Sequence, residues 1–276
     1  MKTLRRLPVF LLTLLLTFFV ISVPYSHAVS VSIQPVEITM KPGGTYNSSI
    51  LIQNFDQETA YCKVYLGDWI QTEEGSQYLD AGTVEHSLSK WTRISHDKIA
   101  ILSGESKRVY YEIKLPEDPE LYGTYWGIVF IEEEARPAAV PLEEGNLPGL
   151  GINVVVRHGL KIYATISDTG KKKAEFVAAK TVKLENGGLE FNATFENQGN
   201  THLRPKVWLE LRDRSGKTVH KLQHQQQTVL PGIKREYKFA LSELQIEPGI
   251  YTALIIADYD VPMLIAAQAE IEVTEE

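Results

Sequence analysis

Cysteine is nearly absent: Cys62 is the only one in 276 residues. No internal disulfide can form, so the fold must rest on a core rather than on covalent staples. A basic excess is also missing. The 28 Lys and Arg are outnumbered by 35 Asp and Glu, for a formal net charge of -7. That balance argues against nucleic acid as a partner and against charge-driven adhesion to anionic membranes. Beyond the opening segment no apolar run is long enough to span a bilayer. The best one, Val261 to Ala267, is far too short. No stretch keeps a helical period.

The usual signs of chemistry are absent as well. There is no Gly-rich phosphate loop, no nucleophile elbow and no Cys/His pairing. His86, His96, His158, His202, His220 and His224 do not fall at ligand spacings. On an extended chain His220 and His224 would lie about 13 Å apart, too far to share an ion. Glu132 to Glu134, with Glu143 and Glu144, read as a solvated rim beside a Pro-rich loop. Asp258 and Asp260 are too few for calcium. The expectation is a protein that is not an enzyme, with no cofactor and no metal.

What the chain does have is an export signal. Lys2, Arg5 and Arg6 precede an apolar run from Leu7 to Val23, and Ser26-His27-Ala28 supplies the small residues a signal peptidase reads. Residues 1–28 are therefore expected to be a signal peptide. No cysteine lies near the junction for lipid attachment. The chain closes on Glu275-Glu276 without an apolar helix. A soluble periplasmic location is expected, with no membrane span in the mature chain.

From Val29 onward short alternating runs are separated by Gly, Pro and Asn, the pattern of β-sandwiches. The expected fold class is all-β, as two immunoglobulin-like sandwiches over residues 29–168 and 169–276. Strand one covers Ser30 to Met40, broken by Pro35 as suits an edge. Ile50 and Ile52, then Cys62, Val64 and Leu66, then Val109, Tyr111, Ile113 and Leu115 are expected to face inward. The last strand of the first sandwich is expected from Leu150 to Ile166. Seven strands are placed in the second sandwich, the first near Glu175–Leu184 and the last near Leu264–Val273. Ile52-Gln53-Asn54 and Phe195-Glu196-Asn197 suggest that the two halves are weak repeats. Most of Trp69, Trp91, Trp126 and Trp208 are expected as core anchors, with Tyr122, Tyr125 and Trp126, near the strand that borders the long loop, the candidates for exposure to a partner.

Four segments of the first half, Val31–Gly44, Trp91–Ser106, Leu115–Gly123 and Leu150–Tyr163, resemble the amino-terminal domain of periplasmic pilus chaperones. Glu196 to His202, followed by Pro205, resembles the second sandwich of such proteins. The resemblance implies a protein partner, a pilin-like or other surface subunit, held by strand addition. Main-chain groups of the last strand would complete the client's sheet and alternate side chains would fill its groove. The residues this implies are Leu150, Ile152, Val154 and Val156, with Arg157 and Lys161 as candidates for holding the client's terminal carboxylate. Leu160 and Ile162 continue the same parity. The same alternation would equally fill the sandwich's own core. The pattern departs from the family at the basic pair: the first-strand position falls near the acidic Glu37, and the last-strand position near Gly159. The other reading is a two-sandwich scaffold in an envelope complex.

Overall fold

Alternating burial runs along nearly every element of the computed structural model, which describes residues 29–72, 75–134, 155–185, 188–242 and 244–273. In β3 (Thr45–Asn54) Ile50 and Ile52 are buried, and in β4 (Ala60–Thr72) so are Cys62 and Val64. In β8 (Ser106–Lys114) Val109, Tyr111 and Ile113 follow the same rule, and Leu115 is buried just beyond it. Each side chain points to the face that its parity dictates.

Residues 29–166 form two sheets. One is four-stranded, in the order β1 (Val29–Val31), β3, β8, β6 (Thr92–Ile94). The other runs β2 (Val36–Met40), β10 (Arg157–Ile166), β9 (Thr124–Glu133), β4, β5 (Gly75–Asp80), with β7 (Lys98–Ile101) also on β4. The continuous first strand expected from the sequence is in fact two. Pro35 falls in the break, and the chain crosses there from one sheet to the other. Proline has a fixed φ and no N–H to give a ladder, so it suits such a crossing. The hairpin strand β5 was not anticipated, because five of its six residues are exposed and it carries no apolar period.

Residues 174–273 form a three-stranded sheet, β11 (Ala174–Lys183), β12 (Leu189–Asn197) and β15 (Lys234–Ala240). A four-stranded sheet faces it: β14 (Thr218–Gln223), β13 (Lys206–Arg212), β16 (Gly249–Asp258) and β17 (Ile265–Val273). The chain is thus all-β, two stacked-sheet sandwiches of immunoglobulin-like type. Among the described residues no helix is long and apolar enough to cross a membrane.

Each sandwich keeps its own core. The first is built on Ile52, Val64, Val109, Ile113, Val129, Ile131 and Ile162, the second on Phe191, Phe195, Leu209, Tyr237 and Ile255. A buried aliphatic chain of this kind contributes about 1.5–3 kcal/mol. Cys62 lies inside the first core, where burial, then Glu133 and Glu134, push its thiol up to about 11. A thiol so placed is protonated and inert at neutral pH.

The suspected repeat has an atomic basis. Asn54 gives its amide to the carbonyls of Glu58 and Ile101, at 2.7 and 2.9 Å, and its Oδ1 accepts from Asp56 N at 2.9 Å. Asn197 gives its amide to the carbonyls of Thr201 and Val229, at 2.8 and 3.0 Å, and its Oδ1 accepts from Gly199 N at 3.0 Å. Both side chains are buried, and each bonds forward by two and four residues and then across to a distant strand or loop. One strand-end corner is used twice.

Candidate functional site

Strand β10 is paired differently along its two halves. On one side β9 runs antiparallel to it from Arg157 to Thr165. On the other side β2 runs parallel to it, but only from Ile162 to Ile166. The first half, Arg157 to Lys161, therefore has no second neighbour among the described residues. The cause is the crossing at Pro35, which carries the chain away to the other sheet.

The register tells which groups that edge presents. Glu133 N bonds to Val156 O and Ile166 N to Gly123 O, so even-numbered residues of β10 bond toward β9. Ser167 N bonds to Met40 O, so odd-numbered residues bond toward β2. The N–H groups of Arg157, Gly159 and Lys161 consequently aim at the open side, as do the carbonyls of Arg157 and Gly159. A one-sided strand of this kind is a template for another chain.

Side chains divide by the same parity. Leu160, Ile162, Ala164 and Ile166 enter the core of their own sandwich. Over this stretch the alternation seen in the sequence fills the home core. Val156 is half-buried at the strand's start. Leu150, Ile152 and Val154 lie outside the described residues.

Arg157 and Lys161 stand on the opposite, outer face of the sheet. The Arg157 guanidinium carbon sits 4.7 Å from the Phe130 ring centre and 5.5 Å from that of Tyr78. Lys161 Nζ sits 3.7 Å above the Trp69 ring and 3.4 Å from Ser76 Oγ. Burial, and next the charge of Arg235, hold the Lys161 ammonium below the usual lysine range. A cation held over aromatic faces and partly stripped of water is a strong receptor for a carboxylate.

The second sandwich covers part of this outer face. Trp69, Trp126, Ile128, Phe130 and Tyr163 form a third apolar cluster with Leu230. Trp126 donates its indole N–H to Trp69 O at 2.9 Å. Gln71 bridges the sandwiches twice, Nε2 donating to Thr228 O at 2.6 Å and Oε1 accepting from Leu230 N at 2.7 Å. Trp69 and Trp126 are thus anchors of the junction rather than of the first core. Trp208 is only half-buried, under Lys221.

Glu37 finds its role at the same junction. It pairs in register with Tyr163, and its carboxylate meets Arg204 NH1 at 3.2 Å and His202 Nε2 at 3.5 Å. The His202 ring lies nearly parallel to the Tyr163 ring at 4.4 Å, and its Nδ1 is 3.3 Å from Thr124 Oγ1. Alongside, Thr124 N donates to Asn200 O at 2.9 Å. Gly123 makes that approach passable: its φ is +68°, and a Cβ there would run into the Asn200 carbonyl. The acidic residue at the position where the resemblance implies a basic one is therefore tied to the second sandwich. Gln71 and Arg204 could not be singled out from sequence, and Glu37 and His202 gave no sign of this role there, because each is an ordinary polar residue until the two sandwiches meet.

The junction carries a pH dependence. Burial holds the His202 imidazolium below the ordinary histidine value of 6.5, with Glu37 pulling the other way and Arg204 and Lys172 adding to the lowering. A histidine lowered on folding binds its proton better when unfolded. Its contribution is complete above 6.5 and is lost as pH falls through the folded value. The denaturant midpoint is expected to drop between about pH 7 and pH 5, more steeply in the wild type than in His202→Gln. Parallel slopes would show that His202 does not report on the junction.

Among the described residues no group of three His, Cys, Asp or Glu could hold a metal ion. No family profile matches the chain. No curated protein matches it either. Among solved structures it is similar to the YadV chaperone at 11% identity, covering 88% of this chain and 99% of that one, with a TM-score of 0.45. It is similar to the class 5 fimbriae chaperone CfaA at 12% identity, covering 89% and 100%, with a TM-score of 0.43. It is also similar to the E. coli chaperone DraB at 13% identity, covering 90% and 99%, with a TM-score of 0.41.

Proposed function

We propose that this is an exported, periplasmic, non-catalytic protein that holds a surface or fimbrial subunit by strand addition along the open half of β10. The observation that carries the reading is the one-sided pairing of Arg157 to Lys161, with three N–H groups aimed outward. A client strand laid there would gain main-chain hydrogen bonds. Groove filling would fall to the residues before Arg157, Leu150, Ile152, Val154 and Val156. Lys161 over Trp69, with Arg235 nearby, is the best placed cation for a client carboxylate, ahead of Arg157, whose guanidinium is bonded to Tyr65 Oη at 3.5 Å. The second sandwich holds that face rigid through Gln71, Glu37 and His202.

The test separates the backbone from the side chain. The protein is exported together with the surface or fimbrial subunit encoded beside it, and the complex is purified. Arg157→Ala is expected to capture the subunit nearly as wild type does. Arg157→Pro removes one outward N–H at a strand start, where proline is tolerated, and should weaken capture about tenfold. A folded Arg157→Pro protein that binds as tightly as Arg157→Ala would count against strand addition and favour the scaffold reading.

A further inference from the structure

Val29 is unusual for so early a residue. Its side chain is 3% exposed and belongs to the first core. Its main-chain nitrogen donates to Glu133 Oε2 at 3.3 Å, and its carbonyl oxygen lies 3.2 Å from His158 Nε2. Glu133 ends β9 with the parity of Val129 and Ile131, both core residues. It is thus a carboxylate on the inward face, at the rim of the sandwich.

The sequence points independently to the same residue. Lys2, Arg5 and Arg6, the apolar run and the small residues Ser26 and Ala28 place an export cut after Ala28. We propose that an export endopeptidase hydrolyses the Ala28–Val29 bond, and that Glu133 is the receptor for the α-ammonium group created there. Water is consumed. The Ala28 carboxylate leaves with the leader, and the Val29 nitrogen, an amide donor before the cut, becomes a protonated amine. The weak neutral contact to Glu133 turns into a charge-assisted one. Processing therefore fastens the start of β1 to the tip of the β9–β10 pair, beside the open edge, and the folded state is at its most stable only after the leader has gone. This inference rests on the export reading and is independent of the client.

Sequencing the amino terminus of the exported protein tests the cut, with Val29 expected first. A four-way comparison tests the receptor. Full chains starting at Val29, or retaining Ser26 to Ala28, are prepared with Glu133 and with Glu133→Gln. With Glu133 the retained residues should raise the unfolding constant about tenfold. With Glu133→Gln, which keeps the shape and removes the charge, they should change it by less than about twofold. Cleavage at another bond would overturn the assignment of the site. An equal loss in both backgrounds would overturn the role of Glu133.

Discussion

Trp69→Ala is expected to cost about 3–5 kcal/mol in denaturant unfolding, the range for truncating a buried indole. Trp69 is completely buried, with Tyr163 edge-on at 6.2 Å and Lys161 Nζ above its ring. It lies on the outer face of β4, where the second sandwich supplies Leu230 as part of the cover. The lost contacts therefore belong to the junction as much as to one domain. Two signatures should accompany the loss. The two sandwiches should unfold less cooperatively, seen as separate transitions. The Lys161 ammonium should also return toward the ordinary lysine range, because the burial that lowers it is partly the indole. A cost below about 1 kcal/mol with a single transition would mean that the junction is not packed as described.

Asn197→Ala should cost about 2–3 kcal/mol, since it strands the carbonyl of Thr201 and the N–H of Gly199 and takes from Val229 O one of its two donors, Leu203 N remaining. Asn54→Ala breaks the matching set in the first sandwich, with a comparable cost. The two should differ in one respect. The corner fixed by Asn197 carries Asn200 and His202, which bond to Thr124 and Glu37 across the junction. The corner fixed by Asn54 is held to the turn around Gly104, at the opposite end of the first sandwich. Asn197→Ala should therefore change the angle between the sandwiches in small-angle scattering, and Asn54→Ala should not. An unchanged angle in both would make the Asn197 corner a purely local device.

Much of the architecture could be read from periodicity. In β3 from Ser49, in β8 from Arg108 and in the first half of β4, Ala60 to Val64, the inward residues alternate and the other face is more exposed, so period two translates directly into burial. The seven strands of the second sandwich fall where turn residues punctuate the sequence. Periodicity fails where both faces of a strand are covered. From Thr124 to Ile131 every residue of β9 is buried, because its outer face is covered as well, Phe130 by Tyr65, Tyr78 and Arg157, Trp126 by His86, with Leu230 of the second sandwich in the same cluster. A single chain read in order gives no sign of that cover, so Trp69 and Trp126 could not be assigned to a junction. It fails again at β5, whose residues are nearly all exposed.

The candidate site was legible only in part. The alternation through Leu160 and Ile162 pointed to β10, but alternation alone cannot tell a donated strand from a core strand. The structure divides the two roles by parity, with even side chains entering the core and odd main-chain groups facing outward. That division depends on where β2 stops, a tertiary fact set by the crossing at Pro35. Glu37 read as a missing basic residue, and only the folded chain shows it bonded to Arg204 and His202.

Amide hydrogen exchange along β10 of the free protein tests the open edge most directly. The amides of His158 and Leu160, bonded toward β9, should exchange slowly. Those of Gly159 and Lys161, aimed at the unpaired side, should exchange faster by at least about a hundredfold, giving a tooth-like pattern residue by residue. Uniform slow exchange from Arg157 to Ile162 would mean that a neighbour already occupies this side of the strand, and strand addition there would have to be abandoned.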